Sequence, residues 1–171
     1  MLCEPVAEDR DPPEAPVVKF SKALLRELAE TFDSKCSLLY LATPEGFGLV
    51  AKEYGHLLTE FARSQISLGV RTALDSGTQA AFVLPPSDEP AGRQVLAPLC
   101  AVMLGLLRID NEIVGFVYLD RPIRLGMYVE RHLSQLEQLL QARASRLARL
   151  LREKPDFGHL GLLSSDLKEV G

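Results

Sequence analysis

Two apolar runs late in the chain flank a short polar triplet. Residues 100–109 and 113–119 are rich in Leu, Val, Ile and aromatic residues, and Asp110-Asn111-Glu112 separates them. β-branched and aromatic residues favour strands, and a short polar break between two such runs is typical of a β-hairpin. Because both runs are apolar almost throughout, we expect this hairpin to lie in the middle of a sheet that is covered on both faces.

Helical spacing of apolar residues predicts a helix near each end of the chain. The first helix begins near Pro16, a residue that suits the first turn, and places a stripe of large apolar residues from Val17 to Phe32 on one face. The last runs from about Met127 to Glu153 and carries a leucine seam: Leu133, Leu136, Leu140, Leu147 and Leu150. Such a seam packs either against the domain's own sheet or against a second copy of the helix, which would make it a dimer helix.

Shorter elements fill the space between these helices. Apolar runs bounded by Pro, Gly and Ser predict strands, and Ser67 and Gly77 stand where the caps of a helix would. The fold class is therefore α/β, of the α+β kind, with a central antiparallel sheet of about five or six strands and the terminal helices packed on one face. The predicted bounds are strands 36–42, 47–52, 80–84 and 95–99, helices 56–64 and 67–76, and a polar loop 85–94.

Composition divides the chain into one domain with two flanking segments. Residues 1–15 are rich in acidic residues and Pro and predict a disordered leader, 16–154 form the domain, and 155–171 form a C-terminal tail or linker. The net charge of −4 disfavours nucleic acid as a partner. No apolar run approaches the roughly 18 residues that span a bilayer, so no membrane insertion is expected. Cys36 and Cys100 lie in apolar stretches and predict buried reduced thiols, which favours a cytoplasmic location.

Few residues suggest chemistry of their own. The His and Cys residues are widely spaced, so neither a metal site nor a catalytic residue is predicted. His132 is superficially similar to the phosphoacceptor of a sensor-kinase helix, but a solvated helix histidine is the simpler interpretation. Asp120 and Arg121 have a functional interpretation as a ligand contact and an anion site. The structural interpretation of Asp120-Arg121-Pro122 is the end of a strand, with Pro122 blocking further pairing.

Four segments resemble a known family. The hairpin 107–122, the helix segment 70–77, the last helix 129–151 and the first helix 17–32 together resemble a GAF domain, the small-molecule sensor module of signalling proteins. The likeness covers about residues 17–152, and the ending Asp120-Arg121-Pro122 is most similar to GAF domains of bacterial transcription activators and kinases. No signature of the cyclic-nucleotide, bilin-binding or sulfoxide-reductase branches is present, so the ligand and cofactor stay unknown.

This resemblance implies a non-enzymatic signalling or regulatory domain. It would sense a small ligand or relay a signal through its C-terminal helix, as a homodimer in the cytoplasm and with a signalling protein as a further partner. The alternative is a degenerate GAF-like scaffold that acts purely in protein–protein interaction. The family's ligand pocket lies between the sheet and the loops on the face away from the helices, and here that corresponds to Arg71, Phe82, Val102, Leu104 and Tyr118.

Overall fold

The computed structural model describes residues 14–44, 46–53, 81–84 and 100–153. For residues 81–84 and Cys100 it describes the backbone alone. The predicted helices 56–64 and 67–76, the loop 85–94 and the strand 95–99 lie outside the described residues, as do most of the acidic leader and the C-terminal tail.

The described elements are one antiparallel sheet and two long helices, so the predicted α+β class is confirmed. In chain order, the long elements are α1 (Pro16–Phe32), β1 (Cys36–Thr43), β2 (Gly46–Glu53), β3 (Ala81–Leu84), β4 (Cys100–Ile109), β5 (Glu112–Pro122) and α2 (Glu130–Glu153). The sheet order is β2-β1-β5-β4-β3, and its centre is formed by β5 with β1 and β4 on either side. A short 3-10 helix, Ile123–Leu125, follows the last strand.

The predicted central hairpin is confirmed. β4 and β5 pair from Cys100 with Pro122 to Ile109 with Glu112. The turn residues Asp110 and Asn111 have φ values of 51° and 66°, as a two-residue turn of the type that matches strand twist requires. Asp and Asn tolerate this left-handed backbone better than other residues with a side chain, which explains why they stand at the turn.

Both described helices cover one face of the sheet, here called the helix face. The apolar stripe of α1 is buried there together with Met103, Val117 and Leu119 of the central strands. Across the helix pair, the Arg143 guanidinium donates to both carboxylate oxygens of Glu27, with two contacts of 2.8 Å from Nη2. The prediction that the terminal helices pack on one face is therefore confirmed for the described residues.

The leucine seam of α2 lies on the helix face. Leu133, Leu136, Leu140 and Leu147 are buried in the same cluster as α1 and the sheet, and Leu150 packs at its edge. The helix approaches β4 closely at Gly105, which has no side chain. A Cβ at this position would lie 2.6 Å from Leu140 Cδ1 and 2.8 Å from Leu136 Cδ2. Packing against the domain's own sheet thus accounts for these leucines. A dimer helix remains a prediction, and it would have to use other side chains of α2.

Two predicted boundaries differ from the structure. The last helix begins at Glu130 rather than near Met127, because Gly126 has a φ of 100° and the carbonyl of Met127 accepts a hydrogen bond from Arg121. β5 spans Glu112–Pro122 rather than 113–119, and its last pair is Pro122 with Cys100. The strand ends at Pro122, as the structural interpretation of Asp120-Arg121-Pro122 predicts.

Candidate functional site

The second face of the sheet carries its own apolar cluster, here called the far face. Side chains along a strand point alternately to the two faces, so the residues of β1, β4 and β5 that do not meet the helices converge here. The described part of the chain contributes no helix to this face, yet its central residues are at most 8% exposed. The far face consists of Cys36, Leu38, Tyr40, Leu49, Leu104, Leu106, Phe116 and Tyr118, with Phe47, Val102 and Ile113 at its edge.

Three of the predicted pocket residues lie together on the far face. Leu104 and Tyr118 are directly opposite each other on β4 and β5, and Val102 is the next far-face residue along β4. Phe82 lies on β3 opposite Leu104 by its backbone, and its side chain is not described. Arg71 lies outside the described residues. The described members of the predicted pocket therefore share one surface, while the pocket as a binding site remains a prediction.

An aromatic group on this face was not predicted. The rings of Tyr40 and Phe116 stack with centroids 4.7 Å apart and an interplanar angle of 12°. Phe47 meets Phe116 edge to face at 5.3 Å. These pairings depend on which strands are neighbours in the sheet. Alternation within residues 36–43 shows which side chains share a face with Tyr40. It does not show which face that is, because this depends on the register of β1 against β5.

The far face becomes polar at one end. The Tyr118 hydroxyl donates to Asp120 Oδ2 at 2.8 Å, and Asp120 is only 2% exposed. The two residues are neighbours on one side of β5 because they are two positions apart. A buried carboxylate and a phenol at the end of an apolar floor are the groups that would orient a small ligand by hydrogen bonding. The functional interpretation of Asp120 thus has a geometry that suits it.

Arg121 points to the other side of the sheet and holds the end of α1 and the segment that leads into α2. Its Nη1 donates to the Phe32 carbonyl at 3.0 Å, its Nε to the Gly126 carbonyl at 3.0 Å and its Nη2 to the Met127 carbonyl at 3.2 Å. The guanidinium carbon also lies 4.5 Å from the centre of the Tyr128 ring. A buried guanidinium is stable only when its donors are bonded. These contacts make Arg121 a structural clamp, a role that the sequence does not predict in detail and that agrees with the structural rather than the anion-site interpretation.

His132 belongs to the beginning of α2. Its Nδ1 accepts a hydrogen bond from the Val129 N–H at 2.9 Å, and its ring meets Tyr128 and Phe32 edge to face. This arrangement satisfies one of the N–H groups that a helix leaves unpaired at its start. Burial lowers the pKa of His132, and Arg121 and Arg131 lower it further. His132 is therefore half-buried and structural, rather than the solvated residue that the sequence favoured.

Within residues 14–44, 46–53 and 100–153, no three His, Cys, Asp or Glu side chains come together as metal ligands. Burial raises the pKa of the Tyr128 phenol, so it stays protonated beside Arg121. Neither described helix is long and apolar enough to cross a membrane.

Comparison of sequences identifies no relative. No family model matches the chain. No curated protein matches it either.

Comparison of structures finds similar folds among solved proteins. The GAF domain/HD domain protein from Geobacter sulfurreducens is 17% identical, covers 81% of this chain and 95% of its own, and superposes with a TM-score of 0.62. A segment of a methyl-accepting chemotaxis protein is 8% identical over 84% of this chain and 95% of its own, with a TM-score of 0.59. The blue-light-absorbing PixJ GAF domain of Thermosynechococcus elongatus is 13% identical over 81% of this chain and 89% of its own, with a TM-score of 0.57.

Proposed function

We propose, from the GAF-like fold of this chain, that it is a non-enzymatic regulatory domain whose far face receives a small ligand and whose helix α2 passes the signal on. The observation that carries the proposal is the composition of the far face, because an apolar floor with few convergent polar groups is typical of a small-molecule site. β4 and β5 present this floor on one side and support α2 on the other. A ligand that favours one packing of the sheet would therefore shift the population of α2 positions.

The chemistry of the floor indicates the ligand class. Tyr40 and Phe116 offer flat rings, Val102 and Leu104 offer aliphatic surface, and the Tyr118–Asp120 pair offers the hydrogen-bonding groups. Stacked and edge-on aromatic contacts add stabilisation beyond the burial of area. The proposed ligand is thus a small aromatic or apolar molecule with a hydrogen-bonding group at one end.

A thermal-shift screen of small aromatic and apolar compounds tests this function. A ligand present at 100 times its dissociation constant should stabilise the folded chain by about 2.7 kcal/mol. Val102→Ala changes a half-buried valine on the far face, and Val114→Ala changes a half-buried valine on the helix face as a matched control. The proposal expects Val102→Ala to weaken the shift and Val114→Ala to retain it. A screen without any stabilising compound, or a hit equally affected by both variants, would contradict it.

The tight burial of the far face favours a second candidate. Phe116 is 0% exposed and Leu104 is 1% exposed, as expected if side chains of the protein itself fill the site. The chain would then be a GAF-like scaffold that acts through protein–protein interaction alone. A scaffold gives no hit in the screen and is instead stabilised by its partner. In either case we propose that the chain works in the cytoplasm as a homodimer that contacts a signalling protein.

A further inference from the structure

We propose that the neighbouring residues Asp120 and Arg121 transmit a change at the far face to the beginning of α2. This inference rests on the proposed function, because it names the connection through which an occupied far face would act on the helix. Asp120 directs its side chain to the far face and Arg121 directs its side chain to the helix face, since successive residues of a strand point to opposite sides. The two residues therefore join the candidate site to the output helix across the thickness of the sheet.

The far-face half of the connection includes the hydrogen bond between Tyr118 and Asp120. Tyr118, which lies opposite Leu104, donates its hydroxyl hydrogen to the Asp120 carboxylate at 2.8 Å. A ligand that competes for either group would move the carboxylate, and the strand backbone at residue 120 would follow. This backbone also anchors the start of β1, because its carbonyl accepts from the Lys35 N–H at 2.8 Å and from the Ser34 hydroxyl at 3.1 Å.

The helix-face half is the Arg121 clamp. The guanidinium holds the last residue of α1 through the Phe32 carbonyl, and it holds the segment that enters α2 through the carbonyls of Gly126 and Met127. Tyr128 packs beneath the guanidinium and against His132, whose Nδ1 accepts from the first N–H of the helix start. A displacement of the strand end at Arg121 would thus alter the carbonyls and rings that fix the entry of α2.

A side chain with both a fork of donors and a fixed charge is needed at position 121. Arginine reaches three carbonyls from one planar group, whereas lysine offers a single ammonium that cannot span them. Arg121→Lys therefore keeps the charge near the C-terminal end of α1 but breaks the connection. This difference separates the proposed connection from a simple electrostatic effect on the helix end.

Amide hydrogen exchange of the full chain without ligand tests the connection. Tyr118→Phe removes the far-face hydrogen bond while keeping the ring, and the expected result is roughly threefold faster exchange in residues 126–133 across the sheet. Ile113→Val changes the same face at the other end of β5, opposite Arg108, and should leave exchange in 126–133 unchanged. In an Arg121→Lys background, Tyr118→Phe should add no further acceleration, because the connection is already broken.

Each other outcome overturns the proposal. Exchange in residues 126–133 that is unaffected by Tyr118→Phe shows that the far face does not reach the helix start. Effects of Tyr118→Phe and Arg121→Lys that simply multiply show that the two residues act independently. The exchange measurement needs no ligand, so its result can be interpreted even if the ligand screen fails and removes the proposed function. If the exchange result overturns the connection, the ligand screen still tests the proposed function.

Discussion

Two glycines in the sheet show how a single residue decides the spacing of whole elements. A Cβ at Gly115 would lie 2.3 Å from the Tyr40 carbonyl oxygen, which belongs to a central strand and cannot move away. At Gly105 the clash is with the ends of Leu136 and Leu140, which can change rotamer. We expect Gly115→Ala to lower the free energy of unfolding by about 3 kcal/mol and Gly105→Ala by about 1–2 kcal/mol, measured by urea denaturation. The opposite order of the two variants would contradict this packing.

His132 makes stability depend on pH because burial and two nearby arginines disfavour its charged ring. Its pKa in the folded chain lies below the ordinary value of 6.5, so the folded state prefers the neutral ring. As the pH falls below about 6.5, His132 takes up a proton more readily in the unfolded state than in the folded state. The contribution of His132 to stability is therefore complete above about pH 6.5 and is lost as the pH falls through the pKa of the folded state. We expect His132→Gln, which keeps an acceptor at the helix start, to lose stability less steeply between pH 7 and pH 5 in unfolding measurements. The same pH dependence of unfolding free energy in the parent chain and in His132→Gln would show that His132 does not cause it.

The residues of the candidate site were predictable only through the family resemblance. The resemblance to a GAF domain implies Val102, Leu104 and Tyr118 as pocket residues, and the structure places all three on the far face. The contacts of Arg121 are not predicted, because one of its partners, the Phe32 carbonyl, lies 89 positions away and belongs to the backbone. A sequence pattern carries no signal for a side chain that binds a distant carbonyl.

The β4–β5 hairpin is the element whose sequence and structure agree most closely. Its turn requires a left-handed backbone at both Asp110 and Asn111. Glycine adopts this conformation without steric cost, so we expect Asn111→Gly to raise the free energy of unfolding by about 0.5 kcal/mol. Glu112→Gly, at the first position of β5, should instead lower it, because glycine loses more conformational freedom than other residues when it is fixed in a strand. A thermal melt of both variants measures the difference, and a destabilised Asn111→Gly would show that the turn is formed differently.

The helix α2 was predictable as an element but its partner was not. Leucines at heptad spacing predict one buried face of a helix, and the same pattern suits a sheet and a second helix equally well. The structure places Leu136 at 0% exposure over Gly105. We therefore expect Leu136→Ala to cost about 2–5 kcal/mol in urea unfolding, while the exposed Gln138→Ala on the same helix stays within about 0.5 kcal/mol of the parent. Equal, small effects would show that the seam does not pack inside the domain.

At the scale of the whole molecule, burial of the seam separates folding from association. A homodimer stays our expectation for the native chain, but Leu133, Leu136 and Leu140 are already buried within one copy. Leu136→Val, a milder change than alanine, should lower stability and leave the dissociation constant of the dimer unchanged, because no buried leucine can touch a second copy while the chain is folded. Sedimentation velocity over a range of concentrations measures this dissociation constant for the native chain and for Leu136→Val. A native chain that stays monomeric throughout removes the homodimer, and a dimer weakened by Leu136→Val would mean that association opens the helix face.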